Sequence, residues 1–396
     1  MDSYNNSAME HLYFDHNATT PMDPRVLEAM LPWLQGEHGN PSSAHRFGRK
    51  AREAVEKARE QVAQLLGARP EDVVFNGSGT EGNNTVILDR GAFAGDQEGA
   101  PGHIVFAAFE HPSVGAAVAR LEERGVESTR VAPGADGRIA PAAVEAALRE
   151  DTRLVCVMLA NNELGTLQPV AELAARCAEK GIPVLCDAVQ AVGKVPVRVE
   201  ELGVDYLTLG GHKFHGPPGV GALWIRPGRS VRSLLLGAAQ ERGRRASTEN
   251  VPGIVALGAA AELAHRELDQ RSEFLRGLRD RFEAGLASFP AAVVHCAESP
   301  RLPHTSHVAF LGVVGQELMM ALDEEGMAVS TGAACGSGSP KPSTTLVAMG
   351  LDDDEAIASL RISFGMTNTE DEVDRLLAAL AAQVERLRRR PAPRLR

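Results

Sequence analysis

The sequence predicts an α/β protein in which a mainly parallel β-sheet is covered by helices on both faces. Short apolar runs of strand length alternate with amphipathic helical segments as far as about residue 260. The chain of 396 residues is long enough for two packed domains. We expect a large domain of residues 15–260, and a smaller α+β domain formed by residues 1–14 and 261–396.

The first helix with a clear period is predicted over residues 50–66. Its apolar residues recur on one stripe, and Gly67 supplies the residue that usually ends such a helix. Apolar runs of strand length follow it. The five candidate strands are Val73 to Phe75, Ile104 to Ala107, Leu154 to Leu159, Val184 to Cys186 and Tyr206 to Leu209.

Longer helices characterise the remainder of the chain. They are predicted over residues 257–286, near residues 316–325, and after Thr369, which forms the pattern of a capping box with Glu372. The last segment, residues 386–396, is rich in arginine and proline. We expect it to form a solvated, basic tail.

Composition excludes several classes of protein. Apolar residues make up 44% of the chain and charged residues 23%, as in a globular protein. The formal net charge of −11 argues against a general nucleic-acid binder and favours small substrates. No apolar run approaches the roughly 18 residues that span a bilayer, and the polar first ten residues lack the blocks of a signal peptide. We therefore expect a cytoplasmic protein without membrane contact. The five cysteines are odd in number and show no C-x-x-C spacing, so neither a disulfide framework nor a metal site is expected.

A polar or glycine-rich cluster follows each of the five predicted strands. The clusters are N-G-S-G-T-E-G-N-N (76–84), F-E-H-P-S (109–113), N-N-E-L-G (161–165), D-A-V-Q (187–190) and G-G-H-K (210–213). Ligands bind beyond the carboxyl ends of the strands in open parallel sheets. We therefore expect these side chains to surround one crevice.

Three of these clusters indicate the chemistry of the crevice. The small residues 77–80 precede a predicted helix, and the free N–H groups and the dipole of its N-terminus favour a phosphate. Neither a Walker lysine nor a G-x-G-x-x-G motif accompanies these residues, so a nucleotide is not implied. Lys213, at the tip of a strand, fits a desolvated amine that forms Schiff bases, although a surface lysine in a tight turn has the same pattern. Asp187 fits a carboxylate that holds a pyridinium nitrogen, or, taken alone, a helix cap.

Among the five cysteines, Cys335 has the surroundings expected of a nucleophile. Cys156 and Cys186 lie in apolar strands and Cys177 in a helical segment, where a thiol behaves as a small hydrophobic group. No motif surrounds Cys296. Cys335 stands in S-T-G-A-A-C-G-S-G-S-P, a stretch of small residues that no core requires and that gives a loop freedom to move.

The strand-end clusters, together with further motifs, resemble the cysteine desulfurases of the nitrogen-fixation and iron–sulfur-cluster type. The resemblance covers roughly residues 12–375, in order and without large gaps. The further motifs are Y-F-D-H-N-A-T-T-P-M-D-P (13–24), G-N-P-S-S-A-H-R-F-G (39–48), R-A-S-T-E-N-V-P-G-I-V (245–255), V-S-T-G-A-A-C-G-S-G-S (329–339) and L-R-I-S-F-G (360–365).

This resemblance implies the aspartate-aminotransferase fold, known as fold type I of the pyridoxal-phosphate enzymes. That fold has a large domain with a mostly parallel, seven-stranded sheet, and a small domain built from both chain ends. The implied cofactor is pyridoxal 5'-phosphate. The implied reaction converts L-cysteine to L-alanine and leaves the sulfur as a persulfide on an enzyme cysteine.

The resemblance also assigns roles to individual residues. It implies that Lys213 carries the cofactor, that Cys335 takes the sulfur, and that His111 stacks on the cofactor ring and helps to transfer protons. Asp187 matches the partner of the ring nitrogen, and Gln190 matches the partner of the phenolic oxygen.

Phosphate and substrate contacts follow in the same way. Gly79 and Thr80 match the phosphate loop, and His212 matches a phosphate or positioning contact. Thr248 matches a threonine that reaches the phosphate of the neighbouring subunit, which implies a homodimer. Three residues align with the binders of the substrate carboxylate, which suits the guanidinium fork of an arginine: Asn40, Asn162 and Arg361.

The chain departs from the family pattern at a few positions. Gly210 stands where relatives have serine or threonine, so one phosphate hydroxyl is missing; His215 replaces a tyrosine, and Gly82 and Asn83 replace a Ser-Asp pair. Alternatives remain open: an aminotransferase or a selenocysteine lyase on the same fold, and a non-enzymatic partner in sulfur trafficking. The sulfur acceptor also stays open among an iron–sulfur scaffold, a tRNA-thiolation protein and a cofactor pathway.

Overall fold

The computed structural model describes residues 11–94, 97, 98, 102–332 and 342–389. Cys335 and residues 390–396 of the predicted basic tail lie outside the described residues. The strands are β1 (Leu12–Tyr13), β2 (Val73–Asn76), β3 (Phe93–Ala94), β4 (Gln97–Glu98), β5 (His103–Ala107), β6 (Glu127–Val131), β7 (Thr152–Met158), β8 (Val184–Asp187), β9 (Tyr206–Gly210), β10 (Gly221–Ile225), β11 (Ala292–Val294), β12 (Thr305–Phe310), β13 (Met327–Ala328) and β14 (Ser359–Ser363).

The helices fill the intervals between these strands. They are α1 (Pro24–Gln35), α2 (Arg46–Leu66), α3 (Gly79–Ala92), α4 (Pro112–Glu122), α5 (Pro141–Ala147), α6 (Val170–Glu179), α7 (Val199–Leu202), α8 (Val251–Gly285), α9 (Gly315–Glu324), α10 (Thr344–Ala348), α11 (Asp353–Ile357) and α12 (Glu370–Arg388). No helix of the described residues is long and apolar enough to cross a bilayer.

Seven strands form the central sheet, in the order β2-β10-β9-β8-β7-β5-β6. Only β10 runs antiparallel to its neighbours, so the sheet is mostly parallel. All five predicted strands belong to it, and the predicted α/β fold of the pyridoxal-phosphate type is confirmed. The two strands that the prediction lacked are β6, a half-exposed edge strand, and β10, a short buried strand.

Both faces of this sheet are buried under helices. Alternate residues of each strand point to opposite faces, so neighbouring residues enter different hydrophobic clusters. Val105 and Ala107 of β5 belong to one hydrophobic cluster, into which α2, α6 and α8 pack. Ile104 and Phe106 belong to a second cluster, formed with α3 and α4. The helices therefore cover both faces of the sheet.

A third hydrophobic cluster surrounds the antiparallel sheet β11-β12-β14. It includes Phe14 near the start of the chain, Phe282 of α8, Phe310 and Phe364, and residues of α9 and α12. Helix α8 contributes to this cluster and to the first one, so the predicted boundary at residue 260 falls inside a continuous helix. The division into two domains stays a prediction.

Local signals place several helix ends. Helix α2 ends at Gly67, whose φ of 64° lies in the left-handed region. Helix α12 begins with the expected capping box between Thr369 and Glu372. Helix α12 follows β14, the strand that carries Arg361. Both elements pack into the third hydrophobic cluster.

Candidate active site

A cavity of about 260 Å³ opens at the carboxyl edge of the central sheet. Nearly all of its lining residues end or follow the strands β2, β5, β7, β8 and β9, and the remainder come from residues 17–18 and from β14. The structure thus brings most of the predicted site residues together. Those that line the cavity are Gly79, Thr80, His111, Asn162, Asp187, Gln190, His212, Lys213 and Arg361.

Lys213 lies in a single helical turn directly after β9. Its Nζ donates hydrogen bonds to the backbone carbonyls of Asn17 at 2.5 Å and Ala18 at 2.7 Å. Burial, with a smaller effect from the charge of Arg361, lowers the pKa of Lys213 from 10.5 to about 8, against the opposing effect of Asp15 and Asp187. An amine with this pKa is neutral far more often than an ordinary lysine, as Schiff-base chemistry requires.

Asp187 is the last residue of β8 and is buried. Its Oδ1 accepts the N–H of Val189 at 3.0 Å, and its Oδ2 accepts a hydrogen bond from Asn83 Nδ2 at 2.7 Å. Donors therefore hold both oxygens of the side chain in place. The carboxylate lines the cavity in a fixed orientation.

Asn83 connects Asp187 to His111 and is fully buried. Its Oδ1 accepts from Thr208 Oγ1 at 2.8 Å, and its Nδ2 donates to Asp187 and, at 3.0 Å, to Ser113 Oγ. Ser113 Oγ lies 2.8 Å from His111 Nδ1. Every polar group of the amide is thus used, so the amide has one orientation.

His111 caps the N-terminus of α4, where its Nδ1 accepts the N–H of Ser113 at 3.1 Å. Burial lowers the pKa of His111; Asp187 opposes the shift and the charge of Lys213 adds to it. The ring is therefore neutral near pH 7. Because Nδ1 accepts, we assign the proton of the neutral ring to Nε2.

The turn between β2 and α3 contains the predicted phosphate loop. Helix α3 begins at Gly79, so the first N–H groups of the helix have no acceptor within it. A Cβ atom at Gly79 would lie 2.4 Å from Val189 Cγ2, so only glycine fits. A Cβ at Gly210 would instead lie 3.8 Å from the backbone nitrogen of Gly79, an ordinary van der Waals contact, so a side chain could begin there.

Arg361 extends from β14 toward the same cavity and is 5% exposed. Its Nη2 pairs with Asp15 Oδ1 at 2.5 Å, and its Nη1 donates to the carbonyl of Asn162 at 2.9 Å. Its Nε is buried without a partner among the described residues. Nη1 and Nη2 each carry a second N–H, so the guanidinium, which lines the cavity, keeps donors for an anionic ligand.

Gln190 is held by two residues to which the sequence analysis gave no role. Its Oε1 accepts from Lys194 Nζ at 3.1 Å, and its Nε2 donates to the carbonyl of Asn17 at 2.9 Å. Burial lowers the pKa of Lys194 well below its ordinary value, and the charges of Lys213 and Arg361 act in the same direction. Because the carbonyl of Asn17 can only accept, the NH₂ group of Gln190 lies on the side of Asn17 and its Oε1 lies on the side of Lys194.

His212 precedes the lysine and lies against the N-terminal segment. Its Nδ1 is 3.1 Å from Thr19 Oγ1. Burial lowers the pKa of His212 to about 4, with further lowering from Lys213 and Lys194, so the ring is neutral. A neutral ring can offer an N–H to a phosphate oxygen without adding a charge.

Two predicted residues lie away from the cavity. Asn40 is exposed, and its Oδ1 accepts the N–H of Ser42 at 2.9 Å. Thr248 is also exposed, although its neighbours Ser247 and Glu249 line a small separate cavity beside the start of the phosphate loop. Their binding roles stay predictions, as does the role of Cys335.

The four described cysteines are free thiols without the properties of a nucleophile. Burial raises the pKa of Cys156 and Cys186 well above 9, and raises that of Cys177 and Cys296 to about 11. A high pKa leaves almost no thiolate at neutral pH. This includes Cys296, on which the sequence carried no signal.

Comparison with known proteins agrees with this geometry. The family model described as aminotransferase class-V matches residues 12–376. The cysteine desulfurase of Trichormus azollae is 43% identical over 96% of this chain and 94% of its own length, and the cysteine desulfurase IscS of Anaeromyxobacter dehalogenans is 44% identical over 95% and 93%.

Solved structures show the same likeness. A NifS-like protein superposes with a TM-score of 0.89 at 36% identity, covering 96% of this chain and 100% of its own. The structure of SspA in complex with cysteine superposes with a TM-score of 0.79 at 35% identity, covering 89% and 98%. The chain therefore belongs to the class-V aminotransferase family and, within it, to the cysteine desulfurases.

Proposed function

We propose that the protein is a pyridoxal-phosphate-dependent cysteine desulfurase that converts L-cysteine to L-alanine and passes the sulfur to Cys335. The observation that carries this proposal is the single cavity that gathers a lysine of lowered pKa, a buried carboxylate and a buried arginine. The relatives that bear the name cysteine desulfurase support the choice of substrate.

The residues of the cavity fit pyridoxal phosphate. The helix start at Gly79 and Thr80 suits the phosphate, the carboxylate of Asp187 suits the ring nitrogen, and the amine of Lys213 suits the aldehyde. The amide of Gln190, held by Lys194, suits the phenolic oxygen. When bound, the cofactor supplies an electron sink for the negative charge that develops at the α-carbon of the substrate.

The residues around this group divide the remaining work. Lys213, with a pKa near 8, exists partly as a neutral amine that can accept the α-proton. Arg361 and Asn162 hold the substrate carboxylate, which fixes the α-carbon relative to Lys213. Asp187, whose two oxygens are held in place by Val189 and Asn83, would keep a proton on the ring nitrogen.

The transfer of sulfur balances without an external oxidant. The thiol of Cys335 attacks the substrate sulfur, the bond between that sulfur and the β-carbon breaks, and the β-carbon gains a proton to become the methyl group of alanine. The sulfur is oxidised to the persulfide level while the carbon is reduced. The proton that the Cys335 thiol loses equals the one that the β-carbon gains. Neutral His111 can relay it only if Nδ1 gains a proton, at the expense of its hydrogen bond from Ser113, as Nε2 gives one up.

The proposal extends to a cytoplasmic homodimer that delivers sulfur to an acceptor protein such as an iron–sulfur scaffold. Thr248 is exposed and so is available to a second copy. An apolar run, Leu234 to Leu236, lies at the surface, and Leu236 is 90% exposed. The run comes near Thr248, because the Cβ position of the adjoining Gly237 is 3.0 Å from Ala246, two residues before Thr248. Exposed apolar runs of this kind mark interfaces between proteins.

A direct assay tests the function. The purified protein, loaded with pyridoxal phosphate, is incubated with L-cysteine and a reductant, and alanine and sulfide are measured. The proposal predicts equal amounts of both, and no turnover or covalent cofactor absorbance in Lys213→Ala. An oxo acid as product would indicate an aminotransferase, and turnover of selenocysteine without turnover of cysteine would indicate a selenocysteine lyase.

A further inference from the structure

We propose that Glu163 is a positioning residue for the desulfurase reaction, because its carboxylate binds Ser343 and Thr345 on one flank of residues 333–341, which include Cys335, and packs against Gly332 on the other flank. This inference rests on the proposed function, since it concerns the delivery of the thiol. Glu163 belongs to the turn N-N-E-L-G that follows β7, and it is 6% exposed. It does not line the cavity itself.

Two hydroxyl groups bind Glu163 from the C-terminal side of the segment. Thr345 Oγ1 donates to Oε1 at 2.7 Å, and Ser343 Oγ donates to Oε2. Ser343 also caps α10, since its Oγ accepts the N–H groups of Thr345 and Leu346. The start of α10 is therefore attached to the carboxylate, and hydrogen bonds to a charged acceptor are stronger than those to a neutral one.

The N-terminal side of the segment meets the same carboxylate. Gly332 immediately precedes it, with a φ of 79°. A Cβ atom at Gly332 would lie 2.7 Å from Glu163 Oε2, so the bare backbone packs directly on the carboxylate. One side chain thus contacts both flanks of residues 333–341, by packing at Gly332 and by hydrogen bonds at Ser343 and Thr345.

The turn that carries Glu163 is itself attached to the candidate substrate site. Asn161 Oδ1 accepts the N–H groups of Glu163 and Leu164, both at 2.9 Å. The carbonyl of Asn162 accepts from Arg361, and the backbone of Arg361 pairs with that of Ser330 just ahead of Gly332. The two ends of the segment and the binders of the substrate carboxylate therefore share one rigid frame.

The test compares Glu163→Ala and Glu163→Gln with the wild type in a single turnover. We expect Glu163→Ala to keep the visible absorbance of the bound cofactor and its change on addition of L-cysteine, while persulfide forms on Cys335 on the order of 10²-fold more slowly, the size expected for a thiol misplaced by about 1 Å. Glu163→Gln keeps one acceptor oxygen and should be intermediate.

A matched control is Asp205→Asn. Asp205 is as buried as Glu163, at 7% exposed, and binds the N–H of Val184 and Arg229 at the opposite end of the strands. It should form persulfide at the wild-type rate. Ser343→Ala with Thr345→Val removes the hydroxyl donors and keeps the carboxylate, and should slow persulfide formation in the same manner even if Glu163→Ala does not fold.

The possible outcomes are distinct. Wild-type single-turnover rates in Glu163→Ala or in the double variant would overturn the inference and leave the proposed function intact. A parallel loss of cofactor binding and persulfide formation would also overturn it, because that pattern indicates general disruption. A wild-type protein that forms no alanine would refute the proposed function instead.

Discussion

Replacing Lys213 by methionine should change the pH dependence of folding stability in the cofactor-free protein. Folding buries the ammonium group and lowers the pKa of Lys213 from 10.5 to about 8. The unfolded chain therefore holds this proton more tightly than the folded chain. Below pH 8 the charged lysine opposes folding fully, and the wild-type protein gains stability as the pH rises from 8 toward 10.5.

The size of the effect follows from the two pKa values. A difference between 10.5 and about 8 corresponds to about 3 kcal/mol. Between pH 7 and pH 9.5 roughly 2 kcal/mol of this cost disappears from the wild type. Lys213→Met lacks the titration, so its stability relative to the wild type should fall by about that amount over the same interval.

Urea unfolding of both proteins at pH 7 and pH 9.5 measures this difference. The hydrogen bonds that Nζ gives to Asn17 and Ala18 are lost at both pH values and so do not affect the change with pH. Lys180→Met is the matched control, because Lys180 is exposed and its removal should alter neither value. A difference in stability between Lys213→Met and wild type that is the same at both pH values would refute the assignment of a desolvated amine.

Three further predictions concern the cofactor and the thiols. Asp187→Asn should retain the cofactor yet lower the rate of α-proton removal on the order of 10²-fold, because an amide cannot keep the ring nitrogen protonated; stopped-flow absorbance measures this, and an unchanged rate would exclude the role. Gly210→Ser should tighten pyridoxal-phosphate binding by roughly 3- to 10-fold in a fluorescence titration, since one added hydroxyl hydrogen bond contributes about 0.5–1.5 kcal/mol and a Cβ at this position makes only ordinary van der Waals contacts. Equal or weaker binding would contradict the geometry. The last prediction concerns the four described cysteines, Cys156, Cys177, Cys186 and Cys296. Replacing each of them by alanine should leave alanine production nearly unchanged. A severe loss of activity with the fold intact would show that a second thiol takes part.

The strands and the strand-end residues were accessible from the sequence because both follow from local pattern. Apolar runs such as Leu154 to Leu159 mark strands buried on two faces, and the ends of parallel strands meet at one edge. Asp187, Lys213 and His111 therefore come together as expected. Strand β6 was missed because its sequence E-S-T-R-V is polar and lies at the edge of the sheet.

The partners of these residues could not be predicted, because they depend on tertiary packing. Asn83 reaches Asp187 only because α3 packs across the sheet with that side of the helix inward, and Lys194 reaches Gln190 from beyond the strand end. Glu163 meets Gly332 and Ser343, each more than 160 residues distant in sequence. A single sequence carries no signal for contacts of this kind.

A single turnover followed by mass spectrometry determines whether Cys335 takes the sulfur of L-cysteine. The cofactor-loaded protein receives one equivalent of L-cysteine without reductant, the alanine is counted, and the sulfur is located on the digested peptides. We expect one alanine per active site and one added sulfur on Cys335. Cys335→Ala should give neither, but should still change its visible absorbance on binding cysteine. Added sulfur on another thiol, or full alanine formation by Cys335→Ala, would contradict it.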